Sequence, residues 1–135
     1  MEKFDEWNEV KKVAQIKERR LDIKPREIFW AKIGQNIGDE EYGKGQNFTR
    51  PVIVIRQLSR DLFLGVPTTT TLKDNDYFHL FEYSNKQRGD IQNSAMILQL
   101  KVFSKKRLMN KIGTINKNDF EEILTKARKL LISPI

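Results

Sequence analysis

Arg50 stands directly before Pro51 and the apolar run Val52-Ile53-Val54-Ile55, and a second apolar run ends in Val66-Pro67 followed by Thr68, Thr69, Thr70 and Thr71. A guanidinium and a cluster of hydroxyls therefore fall at the rims of two neighbouring predicted strands. An arginine fork makes charge-assisted bonds to two phosphate oxygens and keeps its proton near neutrality, and a hydroxyl can donate to the same phosphate. Such a pair builds a phosphate site without histidine, cysteine or metal ligands. Cysteine is absent and His79 is the single histidine, which excludes thiolate nucleophiles, disulfides, Cys-based zinc or iron–sulfur centres and His-cluster metal sites. No metal and no cofactor is expected. His79 alternates with aromatics in Tyr77-Phe78-His79-Leu80-Phe81 and reads as a packed side chain rather than a catalyst.

The chain's charge suits a polyanionic partner. Its 135 residues carry 25 Lys and Arg against 18 Asp and Glu, a formal charge of +7, which favours nucleic acid over acidic or neutral partners. With 39% hydrophobic residues the length fits one domain with an ordinary core. The apolar runs fall far short of the roughly 20 residues that span a bilayer, and the N-terminus is charged from Glu2 onward, so no signal peptide or membrane segment is expected. A cytoplasmic protein is the simplest expectation.

The positioning elements follow from periodicity. Phe4, Trp7, Val10, Val13, Ala14 and Ile16 recur at spacings of three and four, which predicts an amphipathic helix in an N-terminal appendage over 1–22, ahead of a domain over 23–135. Pro25 ends any helix near Lys24. Glu27 to Ile33 reads as a first strand, and Gly34 to Thr49, with four glycines, as a long loop. Pro51 to Arg56 is a second strand, with Pro51 placed at its first residue because proline cannot donate to a ladder. Leu62 to Val66 pairs with it across a turn at Ser59-Arg60-Asp61. Tyr77 to Tyr83 is a fourth, Asn85 to Asp90 a turn, and Ala95 to Leu100 a fifth, continued by Lys101-Val102-Phe103. Ser104 caps a short turn through Lys105-Lys106-Arg107. Gly113 breaks the chain before a terminal helix with a capping-box start at Asn118 and Glu121 and an apolar stripe of Phe120, Ile123, Leu124, Ala127, Leu130 and Leu131. Several short strands without intervening helices predict a mainly β (α+β) fold, a small antiparallel barrel.

In this order, Arg26-Glu27-Ile28-Phe29-Trp30, the Gly38-Asp39-Glu40 loop, Arg50-Pro51-Val52-Ile53-Val54-Ile55, Val66-Pro67-Thr68-Thr69, a strand with Gln99, and Lys106-Arg107-Leu108 leading to Lys111-Ile112-Gly113 resemble the PemK/MazF endoribonuclease toxins of bacterial toxin–antitoxin pairs. The resemblance spans roughly Lys24 to Leu131; the N-terminal appendage lies outside it, and the glycine-rich loop is several residues longer than usual. It implies an SH3-like antiparallel barrel of the PemK/MazF/CcdB type with a C-terminal helix, a homodimer, single-stranded RNA bound in a groove across the dimer, and an antitoxin peptide that occupies that groove.

The resemblance assigns Arg50 as the active-site arginine and Thr69 as the phosphate-donating threonine, with Thr68 and Thr70 as neighbours in reach of RNA. Glu40 matches the acidic residue of the family's loop and is the general-base candidate, with Glu41 beside it as fallback. Gln99, Lys101, Lys106 and Arg107 are candidate RNA contacts, the basic ones through backbone phosphates. Some relatives carry an arginine and an aspartate where this chain has Met96 and Leu98. Without the family context, Arg50 is a solvated arginine at a strand start, Glu40 a surface charge, and the threonines are β-propensity and turn chemistry. Trp7 and Trp30 read as core or interface residues. Two other readings stay open: a non-catalytic toxin that, like CcdB, binds DNA gyrase through its terminal helix, and a nucleic-acid-binding barrel without toxicity.

Overall fold

The strand that carries Arg50 is buried on both faces. A computed structural model describes residues 21–34 and 48–134; the predicted N-terminal helix, Glu40 and Glu41 lie outside them. The elements are β1 (Glu27–Lys32), β2 (Thr49–Gln57), β3 (Leu62–Thr69), β4 (Phe78–Asn85), β5 (Gly89–Met96), β6 (Lys101–Ser104), β7 (Leu108–Thr114) and α1 (Lys117–Ala127), which runs on into a π-helical turn, Arg128–Ile132. In β2, Ile53 and Ile55 pack with Ile28, Val66, Phe81, Ala95 and Ile97 on one face, while Val52 and Val54 pack with Phe29, Ala31, Phe63 and Phe103 on the other. Burial on both sides explains why the run is unbroken rather than alternating.

The seven strands form one sheet in the order β4-β5-β3-β2-β1-β7, with β6 added to β3, and all pairings are antiparallel. The sheet is a curled half-barrel with one C-terminal helix on its concave core, where Phe120, Ile123 and Ala127 are buried. β3 makes the curl: its first half pairs β2 and β6, and its last residues, Thr68 and Thr69, pair Ala95 and Ser94 of β5. The two end strands approach without a ladder. Asn85 Nδ2 donates to Ile112 O at 3.3 Å, and a Cβ on Gly113 would lie 2.5 Å from Tyr83 Cδ2, so only glycine admits this approach.

Several expectations shift. β2 begins at Thr49, so Pro51 is its third residue. Thr68 Oγ1 donates to Pro51 O at 3.0 Å, which places that carbonyl, and with it the proline nitrogen, on the β3 side; β2–β3 pairing starts only at Val52. The missing N–H therefore forfeits no ladder bond. β5 starts at Gly89, inside the predicted turn, and ends at Met96; Ile97–Gln99 is a 3₁₀ turn and Lys101 begins a separate strand. β7 occupies a stretch in which no strand was expected, paired to β1 with two register breaks. The helix cap is Asn116, which accepts from Asp119 N at 2.7 Å, rather than Asn118. Ser104 caps its turn as expected, accepting from Lys106 N at 3.2 Å. Of the helix stripe, Leu131 is 42% exposed.

His79 is packed, 7% exposed, where α1 meets β4. Its Nε2 lies 2.8 Å from Asp119 Oδ1 and its Nδ1 3.2 Å from Lys126 Nζ. An ammonium only donates and a carboxylate only accepts, so these partners match the tautomer with its proton on Nε2.

Candidate functional site

Arg50 of β2 and Thr68 of β3 meet across the two paired strands. Arg50 lies opposite Ala31 of β1, and its Nη1 reaches across to donate to Thr68 O on β3 at 3.2 Å. Its guanidinium also stacks over Phe48, 4.8 Å from the ring centroid, a cation–π contact that holds the fork from a second side. Partial burial pushes the Arg50 pKa down from its ordinary value by desolvation, and an arginine has ample margin to stay charged at neutral pH. A guanidinium has five N–H donors. One is used on Thr68, and among the described residues no other hydrogen bond engages the Arg50 guanidinium.

Neighbouring threonines differ in what their hydroxyls have left to give. Thr68 is fully buried; its Oγ1 donates to Pro51 O and accepts from Asn93 Nδ2 at 3.1 Å. That hydroxyl is committed inside the protein. Thr69 is half-buried, and its Oγ1 accepts from Thr71 N at 3.3 Å. A hydroxyl has one proton to donate, and that of Thr69 has no acceptor among the described residues. Thr70 is exposed just beyond the strand.

Basic side chains flank this end of β1 and β2 unequally. Arg107 Nη1 donates to Lys32 O at 3.3 Å, and Lys32 pairs Thr49, one register step from Arg50. Its guanidinium also fills the space beside Gly34, where a Cβ would lie 2.9 Å from Nη1 and where φ is +90°. Lys106 is exposed on the preceding 3₁₀ turn. Lys101 opens β6 opposite Gly65 and lies 5.0 Å over the Phe103 ring; Gln99 is exposed two residues before it. Met96 is buried in the core, whereas Leu98 is 57% exposed, so only the second of the two positions where relatives carry an acid–base pair faces solvent. Asn93, unremarked in the sequence, is drawn into the site through Thr68. The sequence carries no signal for it, because Gln92, Asn93 and Ser94 are consecutive polar residues and burial runs unbroken from Asn93 to Met96.

A cavity of about 780 Å³ opens elsewhere, lined by Arg26, Lys86, Asn110, Lys111 and Asn116 among others, and contains none of the predicted site residues. Arg26 bonds Val54 O through its backbone N–H, which puts the cavity at the opposite end of β1 and β2 from Arg50. Among the described residues no group of three or more His, Asp or Glu side chains could hold a metal ion, and no helix is long and apolar enough to cross a membrane.

The fold is that of a small mainly β protein whose Arg50 guanidinium meets the end of β3 at one end of a curled sheet. The chain belongs to the PemK-like, MazF-like toxin family of type II toxin–antitoxin systems, whose family model matches residues 24–131. A type II system pairs its toxin with an antitoxin, so a partner of that kind goes with the family. No curated protein matches the chain significantly.

Proposed function

We propose that the protein is a metal-independent endoribonuclease that cuts single-stranded RNA, acts as a homodimer, and is restrained by a cognate antitoxin peptide laid over the same surface. The observation that carries this reading is the Arg50 fork, anchored through one N–H on Thr68 O, with the next residue, Thr69, donating its hydroxyl proton to no group among the described residues. In the proposed reaction the substrate's 2′-hydroxyl loses its proton and its oxygen attacks phosphorus. The P–O5′ bond breaks, the 5′-oxygen takes a proton, and the products carry a 2′,3′-cyclic phosphate and a 5′-hydroxyl. Arg50 neutralises charge on the non-bridging oxygens, and Thr69 donates to one of them. Donors aimed at developing charge supply about 3 to 4 kcal/mol each. Glu40 is proposed to take the 2′-proton. Thr70, Gln99, Lys101, Lys106 and Arg107 are proposed to hold neighbouring nucleotides, chiefly by phosphate contact, whereas Thr68 acts from within the sheet.

Purified protein should cut an unstructured RNA in the presence of EDTA, with ends that accept a new 5′-phosphate directly from a polynucleotide kinase. Cleavage that requires a divalent metal, or that leaves 5′-phosphate ends, overturns the mechanism.

A further inference from the structure

Asn93 faces inward on β5, opposite Phe81 of β4, and is 2% exposed. Its Nδ2 donates to Thr68 Oγ1 at 3.1 Å, that hydroxyl donates to Pro51 O at 3.0 Å, and Arg50 Nη1 donates to Thr68 O at 3.2 Å. Side chains thus tie β5, β3 and β2 together at one point, and the chain of bonds ends on the residue next to Arg50 and on the carbonyl where Arg50 rests. Thr68 has a single hydroxyl proton. Because Asn93 presents a donor to Oγ1, that proton has to point away from it, toward Pro51 O.

The other end of the Asn93 amide has a different standing. Its Oδ1 is buried and has no hydrogen-bond partner among the described residues. A buried acceptor left unpaired lowers stability, and an apolar side chain of similar shape would avoid that loss. Packing alone therefore does not account for an asparagine here; its donor does.

We infer that Asn93 is a positioning residue for Arg50, fixing Thr68 from behind so that the guanidinium meets the phosphate in one orientation. This rests on the RNA-cleavage reading above. Thr68 is the intermediary: its side chain is held by Asn93 and holds Pro51, while its carbonyl holds Arg50. Displacing a charge-stabilising group by about 1 Å lowers a rate on the order of 100-fold, so a loosened anchor acts on turnover more than on binding.

The test compares wild type with Asn93→Leu and Thr68→Val, and uses Thr68→Ser, which keeps the hydroxyl, as the conservative control. Single-turnover cleavage at saturating RNA should fall about 10- to 100-fold in the first two, while the RNA concentration for half-saturation moves by less than about 2-fold. The melting temperature of Asn93→Leu should not fall, and Thr68→Ser should cut at the wild-type rate. In ¹⁵N NMR the Arg50 guanidinium signals should be resolved in wild type and Thr68→Ser and collapse to those of a freely rotating arginine in the other two. A wild-type rate with unchanged Arg50 signals in Asn93→Leu overturns the inference. So does a rate loss that only tracks a smaller folded fraction. If Asn93→Leu does not fold, Thr68→Val puts the same question from the other end of the relay. A wild type that cuts no RNA defeats the cleavage reading instead, and the Arg50 signals still decide whether Asn93 orders the guanidinium.

Discussion

Two polar clusters sit on this small sheet, and they use their hydrogen-bonding capacity in opposite ways. Around His79, every group faces a partner: Asp119 takes one ring nitrogen, Lys126 the other, Asn116 Nδ2 donates to the second Asp119 oxygen at 2.9 Å, and Lys126 also donates to Phe78 O and Asp74 Oδ1. Around Arg50, only Thr68 is fully engaged; the fork, the Thr69 proton and the Asn93 oxygen keep unused capacity among the described residues. The first cluster contains the chain's single histidine and two carboxylates, the residue types usually searched for chemistry. It is nevertheless a fastening that clips α1 to β4. The lesson is that residue type proposes chemistry, while spare donors and acceptors next to solvent decide where it can occur.

If that contrast is right, substitutions in the two clusters should separate activity from stability. The largest effect belongs to Arg50→Ala. RNA cleavage should drop by at least about 100- to 1,000-fold with the melting temperature nearly unchanged, since the side chain is half-exposed; undiminished cleavage would sink the assignment. The mirror image is His79→Leu. Urea denaturation should show a loss of about 1 to 3 kcal/mol as Asp119 and Lys126 lose their partner, with cleavage per folded molecule preserved. A selective loss of cleavage there would move the chemistry to the wrong cluster. Removing the helix cap by Asn116→Ala should cost about 1 kcal/mol, again without a change in cleavage.

The smallest effect is on pH dependence. The hydrogen bond from Lys126 holds the Asp74 carboxyl below its ordinary range, helped by the Leu80 backbone N–H. A folded-state pKa that is depressed adds stability above the unfolded pKa and loses it as pH falls through the folded value. That window lies below about pH 4. Asp74 is largely exposed, 57% for its side chain, so Asp74→Asn should flatten the acid limb of a stability–pH curve only slightly. A loss beginning near neutrality in wild type, absent in Asp74→Asn, would contradict this.

The outline of the fold was legible where side-chain patterns are strong. Apolar runs marked β1, β2 and β3, and the stripe of Phe120, Ile123 and Ala127 marked α1. β7 was not legible, because Leu108-Met109-Asn110-Lys111-Ile112 is mostly exposed and pairs β1 across two register breaks. The cap was misplaced by two residues. Asn116 and Asn118 carry the same signal, and the choice falls to Asn116 because buried Ile115, whose N–H bonds Arg26 O, pins the preceding residue to the segment just ahead of β1.

By itself the sequence determined the chemistry on offer: a basic chain without cysteine, an arginine at the head of an unbroken apolar run, and hydroxyls at the end of the next such run. Those properties reside in single residues and short runs. Tertiary structure alone decided that the Thr68 hydroxyl is committed inside the protein, that Asn93 belongs with Arg50, and that the histidine is a fastener. The physical reason is distance along the chain. Thr68 is satisfied by Pro51 and Asn93, 17 and 25 residues away, and His79 by Asp119, 40 residues away. Such commitments exist only once β2, β3, β5 and α1 have come together.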